Sequence, residues 1–441
     1  MRNTPIDYQT VKQKIEESGI KNVGTASIRE LLKIVSQIEA DTGEKFIRME
    51  MGVPGLPPSK IGIEAEIEAH KKGVAAIYPN IEGIPELKTE IVRFLKLFLN
   101  IDVSPSGCIP TVGSMLGGFA SFMTLGRLYK EKDTTLFIDP GFPVQKQQHR
   151  VLGQKYESFD VYNYRGAKLR EKLESYLRKG NIVSIIYSNP NNPSWICFTD
   201  EELKTIAELA DLYNVVVIED LAYFGMDFRK DYTQPGVAPY QPSVSQYTDN
   251  YILLISSSKI FSYAGQRIGM LVVSDKVFNI QSAHLKSHYS TDVFGHALIF
   301  GSIYALSSGT SHSPQYGLAA ILKAVNEGTY HYREDVIDYA EKASIMKKLF
   351  LENGFKIVYD TDIDKPIADG FYFTISYAGY TGELLVEELL YYGISAISLA
   401  ITGSERLEGV RACVSLVNRK QFPELEQRLI QFHKDHPVNP L

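Results

Sequence analysis

Cysteine is scarce in this chain: Cys108, Cys197 and Cys413 are the only three in 441 residues, and they lie far apart. They fit neither a disulfide framework nor the Cys-x-x-Cys spacing of a metal site, so no metal is expected and the thiols read as reduced, in a cytoplasm. Tryptophan is scarcer still, with Trp195 alone. No stretch approaches the roughly 18 apolar residues of a membrane-spanning helix, and Met1-Arg2-Asn3-Thr4-Pro5-Ile6-Asp7 lacks the apolar core of a signal peptide. Long charge runs, low-complexity tracts and internal repeats are missing too. A net charge of −6 over this length gives no general affinity for nucleic acid or an anionic membrane surface.

What is present is the composition of a globular protein, 44% hydrophobic and 22% charged. The length exceeds one ordinary core of ~100–200 residues, which predicts two domains or one large domain with a satellite. Two amphipathic helices are expected near the start, around Tyr8–Ser18 and from Ser27 to Ala40, the second with Ser27 and Glu30 as a capping box. From Thr135 short apolar runs alternate with helical stretches, the pattern of βαβ units in a parallel sheet. The runs are Leu136–Ile138, Ile182–Tyr187, Val215–Ile218, Tyr251–Ile255 and Met270–Val273. A helix from Thr199 to about Tyr213, capped by Thr199 and Glu202, separates the second from the third. A long helical stretch from Ser313 to Glu352, short strands near 370–375 and 410–416, and a final helix from about Pro423 to His433 suggest a separate α+β layer. The expected division is 1–60 for the N-terminal helices and loop, 61–305 for a large α/β domain with a mostly parallel sheet flanked by helices, and 306–441 for a smaller α+β domain.

The strand ends carry the chemistry. They are Asp139-Pro140-Gly141-Phe142-Pro143, then Ser188-Asn189-Pro190-Asn191-Asn192-Pro193, then Glu219-Asp220-Leu221-Ala222-Tyr223, then Ser256-Ser257-Ser258-Lys259. Ligands of open parallel sheets sit outside the carboxyl ends of the strands, so these loops should converge on one crevice. A lysine at a strand end, with Ser256 before it and Arg267 eight residues after it, suits a pyridoxal-phosphate site. Gly113 and Ser114 open a helix, where free N–H groups hold phosphate. Taken singly, each has a plainer role: Lys259 as a solvated loop lysine, Gly113-Ser114 as an ordinary cap, Asp220 as a helix cap, Tyr223 and Phe142 as core aromatics, Asn192 as an Asx-turn residue, Arg411 as a surface strand arginine.

Their order and spacing over residues 27–435 resemble the class I/II pyridoxal-phosphate-dependent aminotransferases of fold type I. The shared features run from Tyr78-x-x-x-x-Gly83, the Gly113-Ser114 loop and Phe142 through Asn189-Pro190-x-Asn192-Pro193, Asp220-x-x-Tyr223, Ser256-x-x-Lys259 and Arg267 to the late Arg411. The resemblance implies pyridoxal 5'-phosphate bound through a Lys259 Schiff base, with Lys259 as the proton shuttle. Asp220 would hold the ring nitrogen protonated, Tyr223 and Asn192 would bond the phenolic oxygen, and Phe142 would stack on the ring. Gly113, Ser114, Met115, Ser256 and Arg267 would hold the phosphate, with Tyr78 from a neighbouring subunit of a homodimer. Arg411, assisted by the Gly52 backbone, would clamp the α-carboxylate of the amino acid or 2-oxo acid.

Three departures concern the substrate pocket: Ser194-Trp195 in place of the family's usual Thr-Gly, Gln145 at a position that is often aromatic, and Ser398-Leu399-Ala400 in place of a frequent Pro-Gly. Trp195 is expected as a pocket wall. The segment 304–314, where family members acting on aspartate carry a second arginine, has neither arginine nor lysine, which favours neutral or aromatic substrates, with Lys286 or His312 as alternative cations. The same scaffold also supports a lyase or decarboxylase. A cofactor-sensing regulator is a further alternative, but only about 25 residues precede the matching region and no basic recognition helix is evident.

Overall fold

The computed structural model describes residues 4–437. The chain folds into two units, and each is discontinuous in sequence. The larger comprises Leu56–Asn191 and Cys197–Val336; the smaller comprises the described parts of Met1–Gly55, Asn192–Ile196 and Ile337–Leu441.

In the larger unit the apolar runs form a seven-stranded sheet. From one edge the order is Cys108–Thr111, Gly269–Val273, Tyr251–Ser256, Val216–Leu221, Ile182–Ser188, Thr134–Asp139 and Lys155–Asp160. The last five strands are mutually parallel, and Gly269–Val273 runs antiparallel to both of its neighbours. Strands buried on both faces need continuous rather than alternating apolar residues, as in Ile182–Ser188 and Tyr251–Ser256. Helices close the faces: Gly113–Leu125 lies on strands Tyr251–Ser256 and Gly269–Val273, with Phe122, Leu254 and Leu271 in one core. The helix Asp200–Tyr213 starts at the expected capping box, Thr199 accepting from the Glu202 N–H and Glu202 from that of Thr199. Such a cap stabilises by about 1 kcal/mol.

The smaller unit carries a four-stranded antiparallel sheet in the order Ile397–Ser398, Val410–Cys413, Tyr372–Ser376, Lys356–Ile357. A short parallel pair, Ile47–Arg48 with Ile394–Ser395, ties the N-terminal segment into it. Helices Tyr8–Glu17, Ile28–Thr42, Asp338–Glu352, Gly382–Tyr391 and Phe422–Asp435 cover the strands. Ser27 and Glu30 form the second expected capping box.

Three features differ from the sequence pattern. Strands Cys108–Thr111 and Lys155–Asp160 form where no apolar run announces them, one containing Pro110 and the other mostly polar, and both are edge strands, where such residues are tolerated. The stretch 313–352 is three helices, His312–Asn326, Tyr332–Val336 and Asp338–Glu352. Of these, His312–Asn326 packs on Lys60–Lys71 and Pro85–Leu99, so the division falls at 336/337 rather than 305/306.

Candidate active site

In the larger unit, register brings the polar strand ends together. Ser188 pairs with Asp220, and Asp220 with Leu254, two residues before Ser256. Asp220 is buried, its Oδ1 accepting from the Ala222 N–H at 3.1 Å and its Oδ2 from Gln145 Nε2 at 2.9 Å. Burial pushes the carboxyl up to about 6, against the pull of those two donors and of the Lys259 charge. Lys259 sits half-buried on the single turn Ser257–Ile260, directly after its strand. Tyr223 follows Asp220 at the strand exit and is 3% exposed. Phe142 is the N-cap residue of the helix Pro143–Leu152, whose buried face turns Gln145 to Asp220 and His149 into a cage of Phe122 and Phe137.

Beside this carboxylate the backbone is crowded at the start of the helix Gly113–Leu125. Gly113 has φ 67°, and a Cβ there would lie 2.5 Å from Arg267 Nη2. One on Gly269 would lie 2.7 Å from the Ser114 nitrogen. The Gly113 N–H is not directed outward: it donates to the Arg267 carbonyl at 3.1 Å. Gly113 therefore locks the helix start to the Arg267 turn, and Ser114 and Met115 supply the free first-turn N–H groups. Arg267 is exposed, at φ 49°, with Nη1 on the Ala264 carbonyl at 3.0 Å. Ser256 is buried, its Oγ accepting from the Ser258 N–H. Tyr78 is 92% exposed and takes no part in this cluster within one chain.

The donor set fits pyridoxal 5'-phosphate. Asp220 is a buried acceptor whose oxygens each keep a lone pair for a ring N–H⁺. The glycine-tight helix N-terminus, with a serine and an arginine beside it, matches a phosphate dianion.

The smaller unit holds the other candidates. Arg411 is 1% exposed on Val410–Cys413; its Nη1 donates to Asn192 Oδ1 at 3.3 Å and its Nη2 to the Glu50 carbonyl at 2.6 Å. Tyr372 lies diagonally across the strand pair, and its ring underlies the guanidinium, centroid 4.5 Å from Cζ. Two of the five guanidinium donors are used, and Nε has no hydrogen-bond partner among the described residues. Gly52 fits because a Cβ there would meet the Tyr372 hydroxyl at 2.0 Å. Trp195, expected as a pocket wall, is completely buried over Gly370.

Two contributors escaped the sequence reading. In the sequence Gln145 stands out only as a departure from an often aromatic position, although its place one turn beyond Phe142 is a usable signal. Tyr372 could have been found by alternation, since it lies two positions from Thr374, the register partner of Arg411.

Fold and cofactor site together define a pyridoxal-phosphate-dependent transferase of fold type I. The family model for aminotransferase class I and II matches residues 44–362. The chain belongs to that family and is a pyridoxal-phosphate-dependent aminotransferase. It is 27% identical over 359 residues to the probable aspartate aminotransferase of Methanocaldococcus jannaschii, covering 81% of this chain and 83% of that protein. It is 26% identical over 326 residues to the LL-diaminopimelate aminotransferase of Natranaerobius thermophilus, covering 74% and 79%. The crystal structure of an aspartate aminotransferase from Thermotoga maritima superposes with a TM-score of 0.75 over 96% of this chain and 99% of that one. At 19% identity this last likeness is one of fold.

Proposed function

We propose that the enzyme moves the amino group of a neutral or aromatic L-amino acid to a 2-oxo acid, with the cofactor linked through Lys259. When bound, the cofactor supplies an electron sink at the substrate α-carbon and an aldehyde carbon that carries the amino group. The observation that carries the assignment of roles is the placement of Asp220 and Lys259 at the carboxyl ends of adjacent parallel strands.

Each residue then has a task. Asp220, held by Gln145 and the Ala222 N–H, keeps a proton on the ring nitrogen. Lys259 carries the proton removed from the α-carbon. Tyr223 and Asn192 donate to the phenolic oxygen, and Phe142 covers one ring face. The Ser114 and Met115 N–H groups, Ser256 and Arg267 hold the phosphate, while Gly113 shapes that turn. Arg411 offers its remaining donors to the α-carboxylate, helped by the Gly52 backbone.

The substrate class rests on residues 304–314, which contain no arginine or lysine. A second substrate carboxylate buried there without a partner would be costly. The relatives named above act, by name, on aspartate and on LL-diaminopimelate, so the choice needs a direct test. Amino-donor half-reactions should show conversion to the pyridoxamine form with amino acid alone, faster with phenylalanine, leucine or methionine than with aspartate. A preference for aspartate of about tenfold, some 1.4 kcal/mol in transition-state binding, would overturn the neutral-substrate reading.

We also infer a cytoplasmic homodimer with shared sites. Tyr78 at 92% and Ile77 at 59% exposure are adjacent large side chains left uncovered in one chain, which supports a second copy covering them. Light scattering should give a dimer, and Tyr78→Phe should weaken cofactor affinity; an active monomer would rule this out.

A further inference from the structure

Trp195 has no task in the scheme above, yet its surroundings are tightly specified. Its backbone has φ 65°, a region that L side chains rarely adopt and that persists only where packing overdetermines it. The indole lies over Gly370 so closely that a Cβ there would come within 2.0 Å of Cε2. The indole and Tyr372 rings meet edge to face, with centroids 6.2 Å apart and planes at 70°. Tyr372 in turn carries the Arg411 guanidinium on its face, and its hydroxyl end abuts Gly52.

The guanidinium is therefore located in two ways. Asn192 and the Glu50 carbonyl accept from its two Nη atoms. Two such hydrogen bonds leave a tilt about the line joining them, and the ring of Tyr372 removes it only if the ring itself cannot tilt. Gly52 stops one end of that ring, and the near-perpendicular indole packs against it. The short segment Asn192–Ile196 thus reaches Arg411 twice, directly through Asn192 and indirectly through Trp195 and Tyr372.

We propose that Trp195 is a positioning residue for the carboxylate clamp: acting through Tyr372, it holds the Arg411 guanidinium in the orientation that receives the substrate α-carboxylate. The inference rests on the reading of Arg411 as that clamp. Gly370 is its structural counterpart, because only a residue without a Cβ leaves room for the indole.

The test compares Trp195→Gly with Trp195→Phe. Glycine accepts φ 65° without strain, so the first variant removes the indole and leaves the backbone at ease. Both KM values, for phenylalanine as donor and pyruvate as acceptor, should rise by about tenfold or more while kcat changes by less than about threefold, the split expected when ground-state and transition-state binding are lost together. Trp195→Phe should recover most of the affinity. Gly370→Ala should raise the same KM values alone but add little in the Trp195→Gly background, where the added methyl has space; that non-additivity marks the contact.

Variants that melt at lower temperature with both KM values unchanged would reduce Trp195 to a packing residue and overturn the inference, as would additive effects of the two substitutions. If Trp195→Gly does not fold, Gly370→Ala in the otherwise wild-type chain gives the same KM-against-kcat reading. Arg411→Lys separates the two levels. Unchanged KM values in that variant would remove the clamp itself, whereas raised values there with none in Trp195→Gly would remove only the role of Trp195.

Discussion

Lys259→Ala is expected to lower the transamination rate by at least ~10⁴-fold, the upper range of a positioned proton carrier, with further loss from the missing covalent step. No other described lysine shares its position, one turn beyond the strand that pairs with the Asp220 strand. The variant should fold, because Lys259 is half-buried and its turn is capped by Ser256. It should keep some cofactor without a covalent link, since the phosphate donors and Asp220 are untouched. Borohydride reduction of the wild type followed by peptide mapping should place the modified lysine at 259. A stable adduct on another lysine would falsify the assignment.

Asp220→Ala should cost about 10³-fold in turnover, comparable to removing one preorganised charge from a site where charge develops. Normal turnover in that variant would remove the electron-sink support given to this carboxylate. A second effect follows from burial. The folded-state value of Asp220, about 6, lies above its ordinary 3.8. The folded cofactor-free protein therefore binds more protons than the unfolded chain between these values, and stability falls as pH rises through that window. Asp220→Asn has no such loss. Its stability relative to the wild-type apoprotein should increase from pH 4 to pH 6 and then level off, by at most about 3 kcal/mol at 1.36 kcal/mol per pKa unit. Urea titrations of both apoproteins at several pH values measure this, and a difference that shrinks with rising pH would contradict the burial of the charge.

Cofactor affinity, too, should be governed by residues brought together by the turn at Arg267. The Gly113 N–H bond to the Arg267 carbonyl joins positions 154 residues apart in sequence. Nothing local at Gly113-Ser114 announces that bond; it exists because the Gly269 strand lies against the helix start.

What the sequence alone determined here is whatever depends on neighbours along the chain. The capping boxes at Ser27 and Thr199 bond within three residues, so they were readable. The buried strands were legible as apolar runs, and the strand-end residues Asp220, Tyr223, Ser256 and Lys259 by their spacing. Tertiary structure decided the rest. It made edge strands of Cys108–Thr111 and Lys155–Asp160, which owe their pairing to a neighbour rather than to their own pattern. It gave His312–Asn326 to the larger unit through the two helices it packs against. It turned Gln145 onto Asp220, and it buried Trp195 over Gly370. These arrangements rest on register and close packing between distant segments, and a one-residue slip or an added methyl would change them without altering any local signal.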